Sequence, residues 1–166
     1  MEEANLLISF SPTHQESAKS EIETVLKEIG EEFQILNIKE GIAELKVKDA
    51  REVIKKISAK LEQGYSFEYL FKWWPVDVWC KAEIPEMQEK IKELQEKIGN
   101  EEKWKMELEK RRAKEEYPAD LIIKLTEVIE KPKVDLTNPE KIIKVEIIED
   151  KAAISLITQK DIIKSK

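Results

Sequence analysis

The sequence predicts an α/β fold of the α+β kind, built in two parts that meet near Pro75. Three observations carry that prediction. Short apolar runs and helical stripes alternate in the order β-α-β-β-α-β over residues 1–74. Pro75 interrupts the chain directly after Trp73-Trp74, and a second alternation of strands and helices then fills residues 75–166. Apolar residues make up 41% of the 166, enough to build a core.

In chain order, Leu6 to Phe10 is a short apolar strand. Thr13-His14-Gln15-Glu16 has the form of a capping box, and the helix after it carries Ala18, Ile22, Val25, Leu26 and Ile29 on one face before Gly30. Phe33 to Ile38 and Ile42 to Val47 form a hairpin turned at Lys39-Glu40-Gly41. Asp49 caps a second helix with Glu52 three residues on; Val53, Ile54, Ile57 and Leu61 are its buried stripe and Gly64 ends it. Tyr65 to Leu70 supplies a fourth strand. This order is that of a ferredoxin-like sandwich, with helices on one face of an antiparallel sheet.

Beyond the joint, Val76 to Cys80 reads as a strand, and Pro85 to Ile98 as a helix with Ile84, Met87, Ile91, Leu94 and Ile98 at heptad spacing. Between Lys103 and Glu109 the chain alternates, with Trp104, Met106 and Leu108 on one side and Lys103, Lys105, Glu107 and Glu109 on the other. A helix with Leu121, Ile122, Leu125, Val128 and Ile129 on one face starts near Pro118 and ends before Pro132. Two closing strands follow a Pro/Asn/Asp turn region.

Charged residues make up 39% of the chain, a composition that fits a protein working at high temperature. The net charge of −6 excludes indiscriminate coating of nucleic acid; any RNA contact must come from a local patch. One Cys rules out an intrachain disulfide framework and fits a reducing cytoplasm. MEEANLLISF has no basic segment ahead of an apolar core, so no secretory signal is expected, and no run approaches the ~18 apolar residues of a membrane span. The four glycines fall after helices (Gly30, Gly64, Gly99) or in a hairpin (Gly41). None is left for a phosphate-cradling loop, and no cofactor is expected.

Candidate chemistry is sparse. His14, the single histidine, reads as a surface or capping residue, and Cys80 as an inert, buried thiol with no ligand partner nearby. Asp135 and Glu140 are one carboxylate pair among many, and Asp135-Leu136-Thr137-Asn138-Pro139 reads as turn chemistry. Phe71, Trp73, Trp74 and Trp79 either stack on RNA bases or pack internally; Trp73 and Trp74 point to opposite sides of an extended chain, so at least one is expected to pack between the two parts. Lys103, Lys105, Lys110, Arg111, Arg112 and Lys114 form the largest local positive excess. At a strand end, Lys110-Arg111-Arg112 would present cations together for backbone phosphates; the alternative is a solvated edge strand guarded by charge.

The motifs Trp74-Pro75-Val76-Asp77-Val78-Trp79, Glu109-Lys110-Arg111-Arg112, Lys133-Val134-Asp135-Leu136-Thr137-Asn138-Pro139 and Val145-Glu146-Ile147, in this order, resemble a THUMP domain behind a ferredoxin-like part. THUMP domains are RNA-binding modules attached to tRNA-modifying enzymes. The resemblance is closest to the stand-alone members that assist the tRNA cytidine N4-acetyltransferase. It implies a tRNA-binding adaptor that reads the 3′ end of the acceptor arm and presents tRNA to a separate enzyme. RNA contact is carried onto Lys110, Arg111 and Arg112, and more weakly onto Lys133 and Asn138; Lys103, Lys105 and Lys114 belong to the same charged stretch. The methyltransferase, thiouridine synthase and pseudouridine synthase domains of other THUMP proteins have no counterpart in these 166 residues, so a binding module and not an enzyme is expected. The rival expectation is a protein-interaction subunit docking through the heptad helix or the Trp-rich joint.

Overall fold

The computed structural model describes residues 3–165. Met1, Glu2 and Lys166, the outer ends of the two expected parts, lie outside the described residues. Contacts divide the chain into two units, residues 3–76 with 160–165 and residues 77–159.

The first unit runs β1 (Leu6–Phe10), α1 (Gln15–Glu28), β2 (Phe33–Lys39), β3 (Ile42–Val47), α2 (Ala50–Glu62) and β4 (Leu70–Pro75). All pairings are antiparallel and the sheet order is β2-β3-β1-β4. That is the expected ferredoxin-like arrangement. Ala18, Ile22, Val25 and Leu26 of α1 and Val53, Ile54 and Ile57 of α2 bury their stripes against Leu6, Ile8 and Phe10 of β1. The hairpin turns at Glu40 (φ 48°) and Gly41 (φ 92°), two successive left-handed residues as a tight hairpin demands. Asp49 accepts a hydrogen bond from the Glu52 N–H at 3.2 Å and caps α2.

Three local expectations are corrected. The capping box at Thr13 does not form: a 3₁₀ turn over Pro12–His14 comes first, with the His14 N–H bonded to the Ser11 carbonyl, and α1 begins without a side-chain cap. Pro12, with φ preset, starts that turn one residue earlier than the box requires. The fourth strand is Leu70–Pro75, not Tyr65–Leu70. The Glu21 carboxylate accepts the N–H groups of Glu68, Tyr69 and Leu70 at 2.8–3.2 Å, which holds Glu68 and Tyr69 just ahead of the ladder that Leu70 begins. Pro75 therefore closes a strand instead of breaking one. The Val76 N–H bonds the Asn5 carbonyl, so the Pro75 nitrogen faces the other side of β4, where a missing donor costs nothing.

The second unit runs β5 (Val78–Lys81), α3 (Ile84–Gln95), β6 (Trp104–Arg111), α4 (Leu121–Thr126), β7 (Lys141–Ile148) and β8 (Lys151–Ile157). Its sheet order is β5-β8-β7-β6, with β6 parallel to β7 and the other pairs antiparallel. Met87 and Ile91 of α3 and Leu121 and Leu125 of α4 pack on Trp104, Met106, Ile143, Val145, Ile147 and Ile154. The heptad stripe of α3 is spent on this core, Ile84, Leu94 and Ile98 included. α4 is shorter than its apolar pattern; Thr126 ends it, its hydroxyl bonded back to the Ile123 carbonyl at 3.1 Å. Gly99 does not share the left-handed conformation of Gly30 and Gly64; its N–H donates to Glu102 at 2.7 Å.

The chain then returns to the first sheet. β9 (Ile163–Lys164) pairs with β4 at Lys72 and Trp73, and the Ser165 hydroxyl bonds the Leu70 carbonyl at 2.6 Å. Residues 160–165 thus join the first unit, where the expected division at residue 75 put them in the second.

Candidate nucleic-acid interface

β6 is an edge strand, parallel to β7 without a register shift from Trp104 to Arg111. Its alternation is as expected. Trp104, Met106 and Leu108 pack on the helix-bearing side, and Lys105 pairs with Glu107 at 3.0 Å on the other. The same alternation separates the cations at its end. Lys110 shares the parity of Leu108; the residue is exposed and its Nζ lies 6.0 Å from the Tyr117 ring centroid. Arg111 points the other way, and its Nε donates to Glu146 at 2.5 Å. The expectation that Lys110, Arg111 and Arg112 would stand together is corrected: period-2 geometry puts neighbours on opposite faces.

Glu146 is fully buried on the central strand β7, with Lys144, itself 3% exposed, 3.6 Å from its other oxygen. Lys144 in turn reaches Glu107 at 4.0 Å, and Arg111 reaches Glu109 at 3.8 Å. A chain of alternating charges thus runs along one face of β6 and β7. A buried carboxylate is tolerated only when paired, and Arg111 is one of its partners.

Arg112 leaves the strand with φ 50°, and Glu149 turns the β7–β8 hairpin with φ 57°. Three contacts tie Glu149 to the end of β6. Arg112 Nη2 donates to Glu149 Oε1 at 3.3 Å, the Glu149 N–H bonds the Arg111 carbonyl at 3.0 Å, and the Lys114 N–H bonds the Glu149 carbonyl at 3.3 Å. The Lys114 side chain is 64% exposed and its ammonium lies 3.8 Å from Glu149.

At the other end of β6, Lys103 lies 3.7 Å from Asp135, and the Lys103 N–H is accepted by Glu140 at 3.1 Å. Asp135 accepts the N–H groups of Asn138 and Thr137, both at 2.9 Å, and these bonds hold its carboxyl below the ordinary range. The structure agrees with the turn reading of residues 135–139, and both carboxylates of the Asp135–Glu140 pair have structural work. Asn138 is exposed. Lys133 is held by Glu101 at 2.6 Å, at the surface. Of the expected contacts, Lys110, Arg111, Arg112 and Lys114 cluster at one end of β6, and Lys103, Lys133 and Asn138 lie by the other.

The aromatic candidates resolve differently. Trp73 packs in the core of the first unit and Trp74 is 1% exposed, so neither ring is open to a base. Phe71 and Trp79 are half-buried. The His14 ring lies tilted against Tyr69 at 5.0 Å between centroids and bonds Ser11 at 2.9 Å. Burial pushes the Cys80 thiol up to about 11, which leaves it protonated at neutral pH. Among the described residues no group of His, Cys, Asp and Glu is placed to hold a metal ion, and no helix is long and apolar enough to cross a membrane.

Sequence reasoning missed the partners. Glu146 and Lys144 alternate with apolar residues in Ile142-Ile143-Lys144-Val145-Glu146-Ile147-Ile148, a pattern that marks an outward face and says nothing of burial there. Tyr117 and Glu149 carry no sequence signal at all.

No curated protein sequence matches the chain. Several solved structures share its fold. Protein PH1313 of Pyrococcus horikoshii superposes with a TM-score of 0.67 at 18% identity, over 98% of this chain and 55% of that one. TrmN of Thermus thermophilus gives 0.58 at 11%, over 91% and 44%. A 4-thiouridine synthetase in complex with RNA and ATP gives 0.53 at 13%, over 98% and 42%. The chain thus spans about half, or less, of the length of the proteins it resembles. Residues 81–157 match the THUMP domain family model, a span that covers nearly the whole of the second unit from the last residue of β5 through β8; the second unit of this protein is a THUMP domain.

Proposed function

We propose that the chain binds tRNA through its THUMP half and presents it to a separate modifying enzyme, with no catalysis of its own. The observation that carries this reading is the THUMP match over residues 81–157, an RNA-binding module, here behind a ferredoxin-like unit. The likeness over 98% of the chain to a 4-thiouridine synthetase solved with RNA supports it. The cationic end of β6 then meets the phosphates near the 3′ end of the acceptor arm, and the ferredoxin-like unit sets distance and angle. An adaptor of this kind contributes through positioning, which can supply a large part of a rate enhancement without a catalytic side chain. The favoured enzyme is the RNA cytidine acetyltransferase that forms N4-acetylcytidine.

The test is reconstitution. The chain alone should turn over no tRNA, and adding it to a purified RNA cytidine acetyltransferase should raise kcat/KM on whole tRNA. It should leave unchanged the rate on a fragment that holds the target cytidine but lacks the acceptor arm. An equal rise on both substrates would contradict the adaptor role, and turnover by the chain alone would make it an enzyme. The rival reading, docking through the heptad helix or the Trp-rich joint, loses the first of its two supports because the heptad stripe is occupied within the fold.

A further inference from the structure

The cations at the end of β6 differ in what they would give up by turning to a phosphate. Arg111 donates to a carboxylate with no solvent exposure. Moving it onto a ligand would leave Glu146 buried beside Lys144 alone, a configuration that costs far more than a surface contact returns. Arg112 has a side chain 21% exposed and anchors Glu149, the residue through which the chain after β6 is tied to the β7–β8 hairpin.

Lys110 and Lys114 are in the opposite condition. Lys110 is exposed, has no ion pair among the described residues, and sits at the outer limit of a cation–π contact with Tyr117. Tyr117 is kept in place by a hydrogen bond from its hydroxyl to the Ala82 carbonyl. Lys114 holds Glu149 only at 3.8 Å with 64% of its side chain in solvent, a pair of little worth that a phosphate can replace. Ala113 and Tyr117 both pack against the helix-side core, so the segment bearing Lys114 runs on the side of the sheet that Lys110 faces.

We infer that the four cations have separate roles. Arg111 and Arg112 are positioning residues that fix the end of β6 through Glu146 and Glu149, and Lys110 with Lys114 carries the phosphate contacts. The inference rests on the tRNA reading above and names its contact residues. The family resemblance set Lys110, Arg111 and Arg112 on one footing, with Lys114 only a member of the same charged stretch.

The experiment measures the affinity of the full chain for one intact tRNA across a salt series, and its melting temperature, for wild type, K110A/K114A, R111M and R111K. K110A/K114A should lower the salt slope by about 1.4 to 1.8, two phosphates at roughly 0.7 to 0.9 each, and leave Tm where it was. R111M should lower Tm and leave the slope intact. R111K covers the case in which R111M fails to fold. It keeps the charge but loses the planar fork that meets Glu146, so it too should lower Tm without moving the slope. Adding E146L to R111M should recover part of the Tm loss, as expected for a coupled pair. A slope that falls in R111M or R111K but not in K110A/K114A would overturn the inference. A normal wild-type slope that K110A/K114A leaves untouched would overturn it alone; a wild-type slope near zero would remove the tRNA reading with it.

Discussion

Asp135 shows how much of this surface is held by single side chains. Its carboxylate ties the N–H groups of Thr137 and Asn138 into one turn beside the start of β6, and those bonds, the one from Asn138 foremost, depress its pKa. A depressed carboxylate stabilises the fold above its unfolded pKa and loses that contribution as pH falls through its folded value. D135A should therefore melt below wild type at neutral pH, and the gap should narrow once the pH drops below the ordinary aspartate range. Thermal melts of both proteins from pH 7 down to pH 3 measure it, and a gap that is constant with pH would show that the charge is irrelevant. The turn was legible because Asp and Asn in a Pro-flanked run have few other uses. The pairing of Arg111 with Glu146 was not, since thirty-five positions separate the two and only the parallel register of β6 on β7, which sets Glu109 opposite Glu146 and Arg111 two residues further along, brings them within reach.

Among the elements, both layers of each unit follow from periodicity. The stripes of α1, α2 and α3 were readable because each buries its apolar face on a sheet, and the alternation of β6 was readable because one face carries Trp104, Met106 and Leu108. Readings failed where a contact distant in sequence overrode local pattern. Glu21 binds the N–H groups of residues 68–70, and the strand begins only at Leu70 and not at Tyr65 as the local pattern suggests. β9 is two residues long, and nothing in Ile162-Ile163-Lys164 announces that it pairs with β4 some ninety positions earlier. That short strand still has weight, because Ile163 is 5% exposed and belongs to the core of the first unit. I163A should cost about 3 kcal/mol, within the usual range for emptying a buried aliphatic site. Urea unfolding followed by a probe in the first unit measures it, and a cost below about 0.5 kcal/mol, far under that range, would mean that the closing strand merely lies on the sheet.

For the whole molecule, an acidic protein with a cationic strand end is a coherent design for selective contact. A net charge of −6 repels nucleic acid generally, and a few exposed lysines at one place can favour a partner that also fits in shape. The fold class was legible throughout, since both sheets and their helices are written as local patterns. The proposed contact residues were legible only as a neighbourhood: sequence placed the cations within one short stretch, and which of them are spent inside the protein depends on what lies across the sheet.

Recognition of tRNA by its acceptor end is open to a direct binding test. The full chain is titrated with an intact tRNA and with the same tRNA lacking its 3′-terminal nucleotides, at two salt concentrations. Salt-sensitive binding to the intact molecule is predicted, with at least a tenfold loss on truncation, about 1.4 kcal/mol. Equal, weak binding to both would contradict recognition and make the end of β6 a charged edge with no part in it.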